Sequence, residues 1–214
     1  MKIDNIIFDF NGTIIDDVDL CYQLLNQLLK SRNHPTVTKE HYRDIFKFPI
    51  IDYYELAGFS FENNRDDFAE LGKIFQAEYH AKCNECGLYD GIVDTFKKYC
   101  SSKRLIVLSA TKTSELVAQL EHYDIAKYFK DILGIDNIYG TSKVQVAKDF
   151  FKLNHIDPNK TVVIGDTDHD YLVAKELNCH SILTSQGHQS RWRLEACKPD
   201  FVIDNIKDMW KIID

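Results

Sequence analysis

Apolar residues follow two regimes along this chain. Ile3 to Phe10 is a short, mostly apolar run that ends at Asn11-Gly12, the pattern of a buried strand entering a turn. The period then changes. Val18, Cys21, Leu24, Leu25, Leu28 and Leu29 recur three or four apart, as do Phe68, Leu71, Phe75 and Tyr79. Amphipathic helices therefore bracket a mixed segment from 31 to 64, and residues 16 to about 86 read as all-helical.

From Gly91 onward, strands and helices alternate. The pattern predicts a helix near 91–100, a strand over 104–108, a helix near 113–122, a strand over 131–135 and a helix over 143–153. A strand over 161–164, a helix near 169–177, strands over 180–183 and 201–203 and a last helix follow. Continuous apolar strands separated by helices indicate a parallel sheet covered on both faces. The helical block isolates the first strand from the others. The predicted fold class is thus α/β: a Rossmann-like parallel sheet formed by residues 1–15 and 88–214, with residues 16–87 inserted as an α-helical cap domain.

Composition narrows the function classes. With 214 residues, 44% of them hydrophobic, and with 9 Gly and 4 Pro, the chain has globular composition and enough length to bury a core. Lys and Arg number 26 against 33 Asp and Glu, a net charge of -7, so no basic field exists to attract nucleic acid or an anionic membrane. Met1-Lys2-Ile3-Asp4-Asn5 has no secretory apolar region, and no run reaches the ~18 apolar residues of a membrane helix. Six scattered cysteines suit reduced thiols, and a cytoplasmic location is expected.

In open α/β sheets, chemistry sits beyond the carboxyl ends of the strands. The first strand ends Asp9-Phe10-Asn11-Gly12-Thr13, where a carboxylate beside a glycine turn can attack a phosphoryl group. The same residues also suit a self-satisfied turn. Ser109-Ala110-Thr111 offers hydroxyls and amides at a helix start, which suits an anion or a plain N-cap. Lys143 opens a helix after Gly140-Thr141-Ser142, where a cation opposes the helix dipole unless an anion lies nearby; a solvated lysine is the plainer reading. Gly165-Asp166-Thr167-Asp168-His169-Asp170 crowds three carboxylates, and oxygen-only ligands favour Mg²⁺ or Ca²⁺. A calcium loop would need Gly and Glu where Tyr171 and Leu177 stand, which leaves Mg²⁺ or a capping turn.

Together, Asp-x-Asn-Gly-Thr, Ser109, Lys143 and Gly-Asp-Thr-x-x-x-Asp resemble, in order and spacing, the four motifs of the haloacid dehalogenase superfamily. The insert resembles the cap of its phosphoglycolate phosphatase and β-phosphoglucomutase branch, and Gly187-His188-Gln189-Ser190 with Arg191 to Leu194 resembles that branch's tail. The resemblance implies an Mg²⁺-dependent phosphatase of a small phosphorylated metabolite. Asp9 would be the nucleophile. Mg²⁺ would be held by Asp9, the Asn11 carbonyl and Asp166, with Asp170 assisting. Ser109 and the amides of Gly12 and Ala110 would hold the phosphoryl oxygens, Lys143 would offset their charge, and Asp168 would cap the following helix.

One position departs from that pattern. Most phosphatases of the superfamily carry Asp where this chain has Asn11, and a carboxamide has no suitably acidic proton to exchange. Loss of a general acid/base costs about 10²- to 10⁴-fold. Turnover would therefore be slow or favour good leaving groups, or His169, Asp17 or His41 would substitute, or the protein would bind a phosphometabolite without consuming it. Asn11→Asp discriminates: a large gain in rate indicates impaired chemistry in this chain, and no change shows that Asn11 is not limiting. A dehalogenase or phosphonatase is a third, lower-ranked reading; a dehalogenase would need neither a second Asp nor a metal, which leaves Asp166 and Asp170 as unnecessary crowding.

Other features suit plainer roles. His80-x-x-Cys83-x-x-Cys86 lacks a fourth zinc ligand and reads as a helix end with buried thiols. The cap aromatics Tyr42, Phe46, Phe48, Tyr53, Tyr54, Phe59 and Phe61 read mostly as core. Arg43 and Lys47 could meet a substrate anion, and Trp192 reads as a surface side chain between two cations.

Overall fold

The computed structural model describes residues 1–62, 66–136 and 142–214. The sequence expectations that touch Gly140 and Thr141, and the end of the 31–64 segment, fall partly outside these residues. Six strands form one parallel sheet: β1 (Asn5–Phe8), β4 (Arg104–Leu108), β5 (Asp131–Leu133), β6 (Thr161–Gly165), β7 (His180–Thr184) and β8 (Phe201–Ile203), in the order β5-β4-β1-β6-β7-β8. The first strand in the chain is thus central, as expected for a strand whose residues are apolar on both faces.

Side-chain alternation divides the core. Ile6 and Phe8 join Leu105, Val107, Val162 and Ile164 under Phe96 of α5 (Ile92–Tyr99) and Leu116 and Leu120 of α6 (Thr113–His122). Ile7, Ile106, Leu108 and Val163 face the other way, against Ala147 and Phe151 of α7 (Lys143–Asn154) and Val173, Ala174 and Leu177 of α8 (Asp168–Leu177). Helices therefore cover both faces. Phe96 meets Phe8 edge-on at 5.3 Å and Phe129 at 4.9 Å, a ring cluster that fixes α5 on the sheet.

Among the described residues between β1 and α5 the chain forms four α-helices: α1 (Val18–Ser31), α2 (Lys39–Ile45), α3 (Ile50–Ala57) and α4 (Phe68–Lys82). They bury a core of their own, in which Leu25, Leu29, Tyr42 and Leu71 are wholly enclosed. The three-four spacing in α1 puts Val18, Cys21, Leu25, Leu28 and Leu29 on this core face. Thr38 and Asp67 cap α2 and α4 by accepting from the His41 and Glu70 amides, each three residues on. A two-stranded antiparallel ribbon, β2 (Ile15–Asp16) with β3 (Gly87–Leu88), ties the outgoing and returning chain together. Such a two-residue pair leaves too little periodicity to be read from sequence.

Two further differences are local. The last helix is a 3₁₀ helix over Ile206–Lys211, and a short α9 (Arg191–Ala196) precedes β8. Among the described residues, no helix is long and apolar enough to cross a membrane.

Candidate active site

Parallel register brings the strand ends together. Phe8 lies opposite Val107 on one side and Ile164 on the other, so Asp9, Ser109 and Asp166 emerge along one edge of the sheet. The Asp9 amide donates to the Ile164 carbonyl at 2.8 Å, and the Ser109 amide to the Leu133 carbonyl at 2.9 Å, which carries the pairing past the strands. Lys143 reaches the same place because Ser142 caps α7, accepting from the Gln145 amide.

Lys143 Nζ lies 2.5 Å from Asp9 Oδ1 and 2.6 Å from Asp170 Oδ1. Asp170 Oδ2 accepts from the Asp166 amide and from the amide and hydroxyl of Thr167, closing a capping box on α8. Thr167, rather than Asp168, is therefore the N-cap. Asp168 instead pairs with Arg193 and accepts from Gln189 Nε2, while its own amide donates to Gln189 Oε1. Asp166 Oδ1 accepts from the Thr13 hydroxyl at 3.1 Å and its Oδ2 from the His188 amide at 2.6 Å.

Asp9, Asp166 and Asp170 can each bring a carboxylate oxygen within 4.8 Å of the others. Burial, reinforced by Asp170 and Asp166 and opposed by Lys143, pushes Asp9 up to about 8. Burial, with Asp170 and against His188, pushes Asp166 up to about 6. Asp170 stays below the carboxylate range because Lys143 outweighs its burial, and both carboxylates hold Lys143 charged despite its own burial. One lysine thus leaves a surplus of buried negative charge, and an all-oxygen donor set of this kind fits Mg²⁺.

The phosphoryl-binding groups are only partly available. Ser109 is buried, its hydroxyl donating to Thr111 Oγ1 at 3.0 Å and accepting from the Thr111 amide. Ser109 and Ala110 line the cavity. The Gly12 amide, expected to face a phosphoryl oxygen, donates instead to Asp17 Oδ1 at 2.9 Å and to the Ile15 carbonyl at 3.1 Å. Gly12 itself has φ +70°, and a Cβ there would collide with the Asp166 carboxylate and the His188 ring.

The sequence reading missed a second buried cluster beside the first. Asp17 is fully buried. Its Oδ2 accepts from Asn11 Nδ2 and from the Tyr79 hydroxyl, both at 2.8 Å, and its Oδ1 lies 3.2 Å from His188 Nε2. Asn11 Nδ2 also donates to the Tyr79 oxygen at 2.6 Å, and His188 Nδ1 meets the Tyr42 hydroxyl at 2.7 Å. Against its burial, His188 holds Asp17 below the usual range, and Asp17 lifts His188 to about 9. These contacts join core (Asn11, His188) to cap (Tyr42, Tyr79). Sequence offered Asp17 as a substitute acid and His188 within the quoted Gly187-His188-Gln189-Ser190, but nothing in it paired the two.

A cavity of about 700 Å³ opens onto this centre, lined by Asp9, Asn11, Asp17, Ser109, Lys143, Asp166, Asp170 and His188 and, from the cap, mainly by apolar side chains. His169 lines it as well and packs on Phe48, and burial lowers its pKa. His41 is exposed on α2 and is not part of the lining. Arg43 donates to the Ser185 carbonyl and Lys47 pairs with Asp52. Trp192 donates to Asp44, tying α9 to the cap. His80 pairs with Glu115, while Cys83 accepts from Gln119; with Cys86 they form no converging metal group among the described residues.

A parallel α/β sheet with an inserted helical bundle, and acidic residues gathered with a lysine at its carboxyl edge, defines a capped hydrolase fold. The chain belongs to the haloacid dehalogenase-like hydrolase family, whose model matches residues 6–184. It is 25% identical to a phosphoglycolate phosphatase of Vibrio parahaemolyticus over 97% of this chain and 95% of that protein. It is 23% identical to pyrophosphatase PpaX of Bacillus mycoides, covering 100% and 98%. Among solved structures, a haloacid dehalogenase-like hydrolase from Streptococcus pneumoniae superposes with a TM-score of 0.83 at 21% identity, covering 99% and 98% of the two chains.

The carboxyl shifts set a pH dependence. Asp9 and Asp166 bind protons more tightly folded than unfolded, so without metal the stability falls as pH rises from about 4 through 8. His188 acts in the same direction, its contribution being lost as pH rises through about 9. A divalent cation bound among these carboxylates would take the place of the protons. The rise in melting temperature on adding Mg²⁺ is expected to be larger at pH 8 than at pH 5.5, by roughly 2–4 °C or more. A shift independent of pH, or none, contradicts the charge surplus.

Proposed function

We propose that the protein is an Mg²⁺-dependent phosphatase of small phosphorylated compounds, acting through an aspartyl-phosphate on Asp9. The observation that carries this reading is Lys143 bridging Asp9 and Asp170 in the lining of the cavity, with Asp166 alongside. Lys143 holds one oxygen of Asp9, leaving the other to attack phosphorus. The phosphorus–oxygen bond to the leaving group breaks, and water then releases inorganic phosphate and restores the carboxylate. The names of the relatives support the reaction class.

Asp9, Asp166 and the Asn11 carbonyl would hold the Mg²⁺, which when bound supplies positive charge against the phosphoryl oxygens. Asp170 would act chiefly by fixing Lys143, since its oxygens are engaged by Lys143 and the start of α8. Ser109 and the Ala110 amide would meet the phosphoryl group. Residues 1–15 and 88–214 would form the catalytic core, and residues 16–87 the cap that excludes water and selects the leaving group.

The test is phosphate release from a panel of phosphomonoesters at neutral pH with Mg²⁺, repeated in EDTA. Release that stops in EDTA and returns with Mg²⁺ is expected. Release indifferent to EDTA overturns the metal requirement. Binding of phosphate compounds without any release would make the protein a phosphometabolite sensor, a reading that the engaged Gly12 amide and Asn11 amide group favour.

A further inference from the structure

Two independent observations converge on the leaving group. The first is the cap's side of the cavity, where Phe46, Phe48, Ile50, Tyr53, Phe68 and Phe75 face the catalytic centre. Among the described residues, the cation that the cap adds to this lining is Lys73, which is exposed. Arg43 and Lys47 are held by Ser185 and Asp52. A compact polyanion would therefore find only the exposed Lys73 on the cap for its second charge and would otherwise set that charge against aromatic rings, losing hydration there. A flat aromatic group would instead gain ring contacts, and Phe48 with His169, centroids 5.1 Å apart, already forms such a wall.

The second observation is Asn11. Its amide group donates to Asp17 and Tyr79, and a carboxamide has no proton to yield to a departing oxygen. With no proton available from position 11, a leaving group able to depart as its anion is favoured. A phenol, with a pKa of about 10, does so far more readily than an aliphatic alcohol, whose hydroxyl is nearly as weak an acid as water at about 15.7.

We propose that the substrate class is aryl phosphate monoesters, in which the phosphate is carried on a phenolic oxygen and the ring lies against the Phe46–Phe48–His169 wall. This deepens the reading of Asp9 as nucleophile and rests on it. Asp9 forms the bond to phosphorus, the bond to the phenolic oxygen breaks with its electron pair, and the phenoxide takes its proton from water. A second water then attacks phosphorus, freeing inorganic phosphate and the Asp9 carboxylate.

The experiment compares phenyl phosphate, benzyl phosphate, acetyl phosphate, 2-phosphoglycolate and pyrophosphate in Mg²⁺, with phenylphosphonate and methylphosphonate as unreactive ligands. Benzyl phosphate keeps the ring but loses the good leaving group; acetyl phosphate does the reverse. Phenyl and benzyl phosphate are expected to share a KM roughly ten- to a hundred-fold below that of acetyl phosphate, from burial of one ring. Phenyl phosphate alone is expected to combine that KM with a high kcat, and Phe48→Ala to raise the KM of both ring substrates about tenfold. Higher kcat/KM for 2-phosphoglycolate or pyrophosphate than for phenyl phosphate overturns the proposal while leaving Asp9 as nucleophile. Should no ester turn over, the nucleophile reading fails, and the phosphonates still decide the ring preference. Tighter binding of phenylphosphonate upholds it and equal binding overturns it.

Discussion

Asp9→Asn is expected to lower phosphate release by about 10⁴-fold or more, to the background rate, while the protein melts at the same temperature or higher. Among the described residues, this side chain is the one at the central strand's end that both faces the cavity and is gripped by Lys143. An amide of the same shape cannot attack phosphorus, and losing a nucleophile commonly removes nearly all of an enzyme's rate. Stability moves the other way. Asp9 ionises reluctantly in the folded state, burial having pushed it to about 8, so an uncharged replacement relieves the acidic surplus. Steady-state rates with thermal melting check both halves. Activity that survives the change removes the mechanism.

The second large effect concerns Asn11 and Asp17 as a pair. From sequence, restoring a carboxyl at position 11 tests whether Asn11 limits the rate, and the structure sets the outcome expected. Asn11 gives hydrogens to Asp17 Oδ2 at 2.8 Å and to Tyr79 at 2.6 Å, and an ionised carboxylate has none to give. Two carboxylates would then meet, with Asp17 unable to retreat because Gly12, Tyr79 and His188 hold it. A protonated carboxyl at this position would have its proton tied to Asp17 and lost to catalysis. Asn11→Asp alone is therefore expected to give no gain and a lower melting temperature. Exchanging both, Asn11→Asp with Asp17→Asn, keeps the charge and reverses the hydrogen bond. It is expected to raise turnover of alkyl phosphates about 10²- to 10⁴-fold over Asn11→Asp. A double-mutant cycle in rate and melting temperature measures the coupling. A hundredfold gain from Asn11→Asp alone shows the two residues to be independent.

Much of the fold is written in hydrophobic period. The strand over 104–108 and the helix over 113–122 have the bounds that the sequence predicts, because apolar runs and amphipathic turns there are long and cleanly separated. The β2–β3 ribbon and the 3₁₀ character of 206–211 were not legible, since both depend on where distant segments pack. Three of the four motifs were legible because parallel register obliges Asp9, Ser109 and Asp166 to share one edge, and the fourth, Lys143, joins them from the start of α7. The Asp17–His188 pair was not. Its members are 171 residues apart, and neither type in isolation tells a surface charge from a buried partner. The commitment of Gly12's amide to Asp17 was hidden for the same reason.

The most direct measurement is rapid acid quench of the wild-type enzyme with phenyl or acetyl phosphate and Mg²⁺, followed by mass spectrometry of the peptide containing residue 9. With no carboxyl at position 11 to activate water, hydrolysis of the acyl phosphate is slowed and the adduct should accumulate. One phosphoryl group on Asp9, reducible by borohydride and absent in Asp9→Asn, is the expected result. Turnover with no acyl phosphate, or with the phosphoryl group on another residue, contradicts it.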